Sequence, residues 1–242
     1  MKNLFAISFL VLIVACKKDT CWNGYGNQIE TDYALDKSYD SIYVGKGIEV
    51  YLTQDTNNYV EVVSGEKIIQ NIEVRESGNT LHISNHNKCH FLRDYEKKTV
   101  INIHQESFDF LYFNTEKNIT FTDTIHTDRI LLYQEHGGGE MDIKVNCNFL
   151  KIVSYNGSGS FKASGIANVT EITTKVGAFG DARELSSSTL YVTNISKDDL
   201  FVNFDNANVT VSIEGTGNII FRGTPNSMNL LPVLGVGECI PE

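Results

Sequence analysis

The feature that most constrains this chain is a 20-residue period running through its second half. Counted from residue 110, one column holds Phe110, Ile130, Leu150, Thr170 and Leu190, and two residues on a second holds Tyr112, Leu132, Ile152, Ile172 and Val192. A glycine turn follows: Gly137 to Gly139, Gly157 and Gly159, Gly177 to Gly180, Gly215 and Gly217. Beyond the turn a third column reads Phe121, Met141, Phe161, Phe201 and Phe221, broken at Asp181, where Phe179 is expected to fill in by a local shift. Self-similarity at a fixed period of this length is the signature of a solenoid. Two strands of five or six residues at about 3.3 Å each, plus two turns, use up one repeat, which makes it a coil of a β-helix with coils about 4.8 Å apart. Equivalent positions then lie over one another, so the three columns read as core. The turn glycines Gly137, Gly139, Gly157, Gly159, Gly177, Gly215 and Gly217 read as corners needing positive φ. A leucine-rich repeat of similar length would need a Leu and Asn ladder that is absent.

The first half predicts short strands as well. Ile42 to Val44, Ile48 to Leu52, Val60 to Val62, Ile72 to Val74 and Leu81 to Ile83 alternate in period two between turns rich in Gly, Asn and Asp. Glu66 to Ile72 is the one candidate for a helical turn in the mature chain, and residues 85–98 read as a charged loop before Val100 to Ile103 resumes the strand pattern. The fold class is therefore all-β.

The N-terminus carries Lys2, an apolar run from Leu4 to Val14, then Ala15 and Cys16. The run is too short to span a bilayer, and a charged start, apolar centre and small residue before the cut are what an export signal needs. A cysteine directly after that small residue makes residues 1–15 resemble a bacterial lipoprotein signal. On that resemblance Cys16 becomes the lipid attachment site, anchoring the chain by apolar burial of about 0.8 kcal/mol per CH2. Lys17 does not resemble an inner-membrane retention signal, which places the protein at the outer membrane with its leaflet open. Residues 16–37 then form a tether, and 38–242 the domain.

Composition fits an exported protein. Removing residues 1–15, and with them Lys2, takes the formal net charge from −10 to −11. Phosphate backbones are bound by clustered Lys and Arg, so a nucleic-acid partner is not expected. Hydrophobic residues at 41% are ample for a core.

The G-x-G turns, the run from Val211 through Gly215, Gly217, Ile219, Phe221 and Gly223 to Pro225, and the later Gly235 and Gly237 together resemble the head GIN domain family of auto-transporter adhesins, also called a domain of unknown function. The resemblance covers about residues 38–240. It implies a right-handed β-helix, mostly exported or lipid-anchored members, a role in adhesion, and no established catalytic residues. Ser196 to Asp199, where the G-x-G turn is lost, and Asp181 depart from the pattern.

Asp181, Asp198, Asp199 and Asp205 fall within two coils, but Asp181 should stack over Phe201 and Asp198 over Ala178, so no catalytic acid column forms. Gly137 to Asp142 partly matches a calcium nonapeptide yet occurs once, and the glycine turns have no following helix to make a phosphate cradle. His82, His86, Cys89 and His90 are metal-ligand types at a spacing that argues against a made site, so no metal and no cofactor are expected. Cys21, Cys89, Cys147 and Cys239 remain after lipidation and allow three pairings, none assigned. Cys147 shares a small-residue column with Ala167, Ser187 and Ala207.

The outward positions of the first repeat strand, Leu111, Phe113, Leu131, Tyr133, Val153, Tyr155, Tyr191 and Ile195, are too apolar to be simply wet. The N-terminal half is expected to fold over them. Failing that, they form a subunit interface making a homo-oligomer, or a binding surface in which Tyr133, Tyr155 and Tyr191 stack on sugar rings. The reading is a non-enzymatic, lipid-anchored envelope protein that binds a glycan or an envelope or host surface protein. A polysaccharide-active β-helix enzyme and a purely structural envelope component are the alternatives.

Overall fold

Alternating apolar and polar residues keep almost every segment extended, because only a period of two puts the apolar set on one side of a pleated strand. The computed structural model describes residues 24–88, 98–232 and 234–242, wound as a β-solenoid of about seven turns of roughly 20-residue coils. In chain order the strands are β1 (Gln28–Ala34), β2 (Ser41–Val44), β3 (Ile48–Gln54), β4 (Tyr59–Gly65), β5 (Ile72–Ser77), β6 (Thr80–Asn85), β7 (Thr99–Gln105), β8 (Phe110–Phe113) and β9 (Ile119–Phe121). They continue as β10 (Ile125–Glu135), β11 (Glu140–Tyr155), β12 (Ser160–Lys175), β13 (Phe179–Ile195), β14 (Leu200–Asn203), β15 (Asn208–Ile213), β16 (Ile219–Arg222), β17 (Ser227–Leu230) and β18 (Cys239–Pro241). A single 3-10 turn, Ile69–Asn71, is what the Glu66 to Ile72 segment forms.

Two sheets enclose the core. One runs β5, β6, β2, β8, the second halves of β10 to β13, β15 and β17; the other runs β1, β4, β7, β3, β9, the first halves of β11 to β13, β14, β16 and β18. Pairing is parallel except for β1 with β4, β4 with β7 and β5 with β6. The coil formed by β2 and β3 lies between the β6 and β7 coil and the β8 and β9 coil, although it precedes both in sequence. The N-terminal half therefore extends both sheets edge to edge. It does not fold over the outer face of the first sheet, contrary to the sequence expectation, because β2 and β6 spend their hydrogen-bonding edges on lengthening that sheet.

Three further expectations are corrected by the register. Leu131 lies opposite Phe110, a spacing of 21, so Leu111 and Phe113 point into the core and Phe110 and Tyr112 point out. A one-residue slip exchanges the two faces of a strand. In the second sheet the stacked core column is Ile119, Met141, Phe161, Gly180, Leu200, Ile219 and Cys239. Phe201 therefore faces outward over Asp181, and Phe221 lies over Val202. Phe179 does not fill the gap: it is exposed, and Gly180 accommodates the Phe161 ring, since a Cβ there would stand 2.4 Å from Phe161 Cζ. A bulge between Lys162 and Ser164 restores the 20-residue spacing.

The turn glycines are needed for a different reason from the one expected. Of the seven, only Gly177 has positive φ; His136, Asn156 and Val176 carry the left-handed conformation in their coils. At Gly159 a Cβ would meet the Gln134 amide at 2.7 Å, and at the remaining five the coils approach backbone to backbone, so that a Cβ on Gly157 would lie 2.3 Å from Gly137 O and one on Gly217 2.1 Å from Asp198 O.

Inside the same corner runs a polar column, Gln134, Ser154, Thr174 and Asn194, every member buried. Ser154 Oγ donates to Gln134 Oε1 at 3.1 Å and Thr174 Oγ1 to Asn194 Oδ1 at 2.8 Å. Gln134 Nε2 donates to Gly139 O, and Asn194 Nδ2 to Asp198 O and Asn218 O. The column thus gives Asp198 O its partner and adds second donors to Gly139 O and Asn218 O, which also accept the Ser160 and Leu200 N–H groups.

Candidate functional site

Parallel strands in register place equivalent side chains about 4.8 Å apart, close enough for aromatic rings to meet in offset geometry. On the outer face of the first sheet this produces a contiguous strip of rings from four strands. Tyr43 on β2 stacks on His82 of β6 at 5.2 Å and 21°, and meets Tyr112 and Phe110 of β8 at 5.3 and 5.7 Å. Phe110 in turn meets Tyr133 of β10 at 5.3 Å. Farther along, the Lys151 to Glu171 ion pair at 2.8 Å interrupts the rings. Thr173, Thr193 and Thr210 then line the face.

The three tyrosines singled out from sequence are only partly brought together. Tyr133 belongs to the strip. Tyr155 is 39% exposed, with the Lys175 ammonium 4.3 Å above its ring, and Tyr191 is 46% exposed between Glu171 and Thr210. Sequence reasoning missed Tyr43, Phe110, Tyr112 and His82 as members of one surface. No period links residue 43 to residue 112, and their adjacency follows from the out-of-order coil.

The remaining candidates resolve individually. His82 lies in the strip, whereas His86 pairs with Glu73 at 2.8 Å, so the two do not converge on one point. Cys89 and His90 lie outside the described residues, as do Cys16 and Cys21. Cys147 and Cys239 are free thiols, separated by five strand-to-strand steps of about 4.8 Å. Burial pushes both thiols up to about 11. Among the described residues one group of ligand-type side chains converges, Glu30, Asp32 and Glu61 on the outer strands β1 and β4, and Glu61 raises the pKa of Glu30 by charge repulsion.

A second concavity, of about 480 Å³, lies on the outer face of the second sheet and brings Asp142, Asp181, Glu184 and Glu242 near Lys162, Arg183 and Arg222. Its carboxylates are held by cations: Asp181 and Glu242 by Arg183 at 2.7 and 2.6 Å, Glu184 by Arg222 at 3.0 Å, and Asp142 by Lys144 at 3.7 Å. Hydrogen bonding from Arg183 holds the Asp181 carboxyl below the usual carboxylate range, the opposite of what a general acid requires. Asp199 and Asp205 accept the backbone N–H groups of Asn218 and Thr224, so these two carboxylates belong to turns, and the Asp198 N–H donates to Ser196 Oγ.

The architecture is that of a β-solenoid whose most continuous chemical feature is a ring-lined outer face. The chain belongs to the family described as "Putative auto-transporter adhesin, head GIN domain", whose model matches residues 38–225. Among solved structures it is similar to a Bacteroides fragilis protein described as a "putative adhesin", with a TM-score of 0.79 and 22% identity over 89% of this chain and 97% of that one. It is also similar to two Parabacteroides distasonis proteins at 16% identity, each covering 90% of this chain and 98% of the other. One is described as a "putative adhesin" with a TM-score of 0.63, the other as a "putative lipid binding protein" with a TM-score of 0.65. At these identities the likeness is one of fold. No curated protein sequence matches the chain.

Proposed function

We propose that this chain is a non-enzymatic adhesin of the cell envelope, held at the outer membrane by lipid on Cys16, and that it binds a glycan across the outer face of the first sheet. The observation that carries the reading is the strip His82, Tyr43, Tyr112, Phe110 and Tyr133, five rings linked by four ring-to-ring contacts on a face that no other segment covers among the described residues. The apolar faces of pyranose rings fit such a strip, and neighbouring threonines and the Lys151 and Glu171 pair supply hydroxyl partners. The cation-held carboxylates of the second concavity weigh against a hydrolase or lyase.

The test is a glycan and matrix-protein array probed with residues 17–242, which contain every described element, beside a Tyr43→Ala/Tyr112→Ala/Tyr133→Ala variant. At about 0.5–1.5 kcal/mol per ring contact, loss of three rings is expected to weaken glycan binding on the order of 10- to 1000-fold. A second variant, Tyr155→Ala/Tyr191→Ala, is expected to change it by less than about tenfold. Equal glycan binding by wild type and the triple variant would remove the strip from the account, and binding only to matrix proteins would replace the ligand class.

Anchoring is tested separately. Cys16→Ser is expected to move the protein from the detergent phase to the aqueous phase in partitioning and to abolish incorporation of labelled fatty acid. Retention of the label in that variant would sink the assignment.

A further inference from the structure

The two ends of the solenoid are finished differently. At the N-terminal end the core finishes in buried Ile72, with Ile69 and Val74 packed against it, and the outermost strands carry charge: Glu30 and Asp32 on β1, Glu73, Arg75 and Glu76 on β5. Charged, antiparallel outer strands discourage edge pairing. At the C-terminal end nothing of this kind is present among the described residues. β17 pairs only with β15 and β18 only with β16.

The open end also exposes core positions. Met228 lies over Val209 and Leu230 over Val211, continuing an inward column. Val209 and Val211 are 2% and 0% exposed, whereas Met228 and Leu230 are 40% and 49% exposed, with no coil over them among the described residues. Leu231, Leu234 and Val236 add exposed apolar surface beside them, and Cys239 ends the column of the opposite sheet half-buried. Leu231 gives its N–H to Val211 O, so the alternation of the ladder turns the N–H groups of Met228 and Leu230 towards the free edge.

We propose that this open end is an interface between two copies of the chain, joined end to end about a two-fold axis. An occupant must offer a strand edge and apolar columns between two sheets about 10 Å apart, which is the cross-section of a solenoid coil. This chain presents one such uncovered end, and its charged N-terminal end offers neither the open core nor an uncharged edge. Association is therefore isologous and closes at a dimer instead of propagating head to tail. The last coil supplies roughly twenty residues, within reach of the 20–30 a side of a standard interface. Pro241 has no N–H to add, and Glu242 is drawn away onto the outer face by Arg183, so β17 carries the strand pairing while β18 contributes apolar contact. The proposal does not depend on the glycan reading.

The test is sedimentation velocity on residues 17–242 from about 1 to about 500 µM, together with hydrogen exchange at both concentrations. A reversible dimer is expected, with concentration-dependent protection confined to the last coil and strongest at the amides of Met228 and Leu230. Met228→Lys/Leu230→Lys, placed at exposed positions, is expected to weaken dimerisation by at least about tenfold at unchanged melting temperature. A monomer throughout the range overturns the proposal. So does a dimer protected on the Tyr43 and Tyr133 face, or a monomer whose last coil becomes protected only when phospholipid vesicles are added. If the double variant fails to fold, the wild-type exchange map still decides.

Discussion

Asn194→Leu is expected to lower the free energy of unfolding by about 3–6 kcal/mol, although leucine has the same branched skeleton of side-chain heavy atoms as asparagine and the site is a core position. Asn194 is fully buried and takes part in four hydrogen bonds. Its Oδ1 accepts from Thr174 Oγ1 at 2.8 Å and from the Ser196 N–H at 2.9 Å, and its Nδ2 donates to Asp198 O and Asn218 O at 3.1 Å each. Leucine would strand both donors and the Asp198 carbonyl, while Asn218 O would keep the Leu200 N–H. Thr174 and Ser196 are themselves buried with no exposure, and each orphaned buried group costs roughly 1–3 kcal/mol. Transfer of an apolar side chain into the core returns only part of that loss. The measurement is urea denaturation. A shift in midpoint corresponding to less than about 1 kcal/mol would mean that water or a rotated Thr174 replaces the amide. Asn194→Ser is expected to lose less, because a hydroxyl can retain one of the contacts.

This column illustrates what was and was not legible in the sequence. The coil length, the two sheets and the inward positions from Ile130 to Val192 follow from the 20-residue period, because stacking repeats that length many times over. Asn194 carries no such signal. Its column, Gln134, Ser154, Thr174 and Asn194, is polar throughout and gives no sign of burial, although alternation from Leu190 and Val192 turns it inward, and its value comes from turn carbonyls of its own coil and the next. The first coil departs from the period for a related reason. A spacing of 21 between Phe110 and Leu131 exchanges the faces of β8, and a fixed-period count cannot detect a single added residue. The binding strip was hidden more deeply, since β2 reaches its place between β6 and β8 only after the chain has gone out to the N-terminal end and returned. Pairs such as Tyr43 with Tyr112 are products of topology, with no local pattern to announce them.

Gly165→Ala is expected to be the costliest small substitution in the solenoid, at about 2–6 kcal/mol, although no turn motif marks this residue. Gly165 lies within β12, where the backbone follows the bulge at Lys162 to Ser164, and its φ is +108°. That conformation lies beyond the left-handed helical region and is open essentially to glycine, so a side chain there carries about 1–3 kcal/mol of strain. An added Cβ would also stand 2.0 Å from Val145 O. Val145 lies in the adjoining coil, directly paired with Gly165, and Leu185 pairs on the other side, so the backbone cannot retreat without lengthening both ladders. Overpacking of that kind adds about 1–3 kcal/mol. Gly138→Ala is the matched control. It lies in the conspicuous run Gly137 to Gly139, yet its φ is not positive and the nearest atom to its Cβ is Ser158 Oγ at 3.6 Å, so its effect is expected to stay within about 0.5 kcal/mol. Denaturation of the two variants side by side separates the explanations: if Gly138→Ala proves as damaging as Gly165→Ala, glycine is required for the motif as such, and close backbone approach between coils is not what selects it.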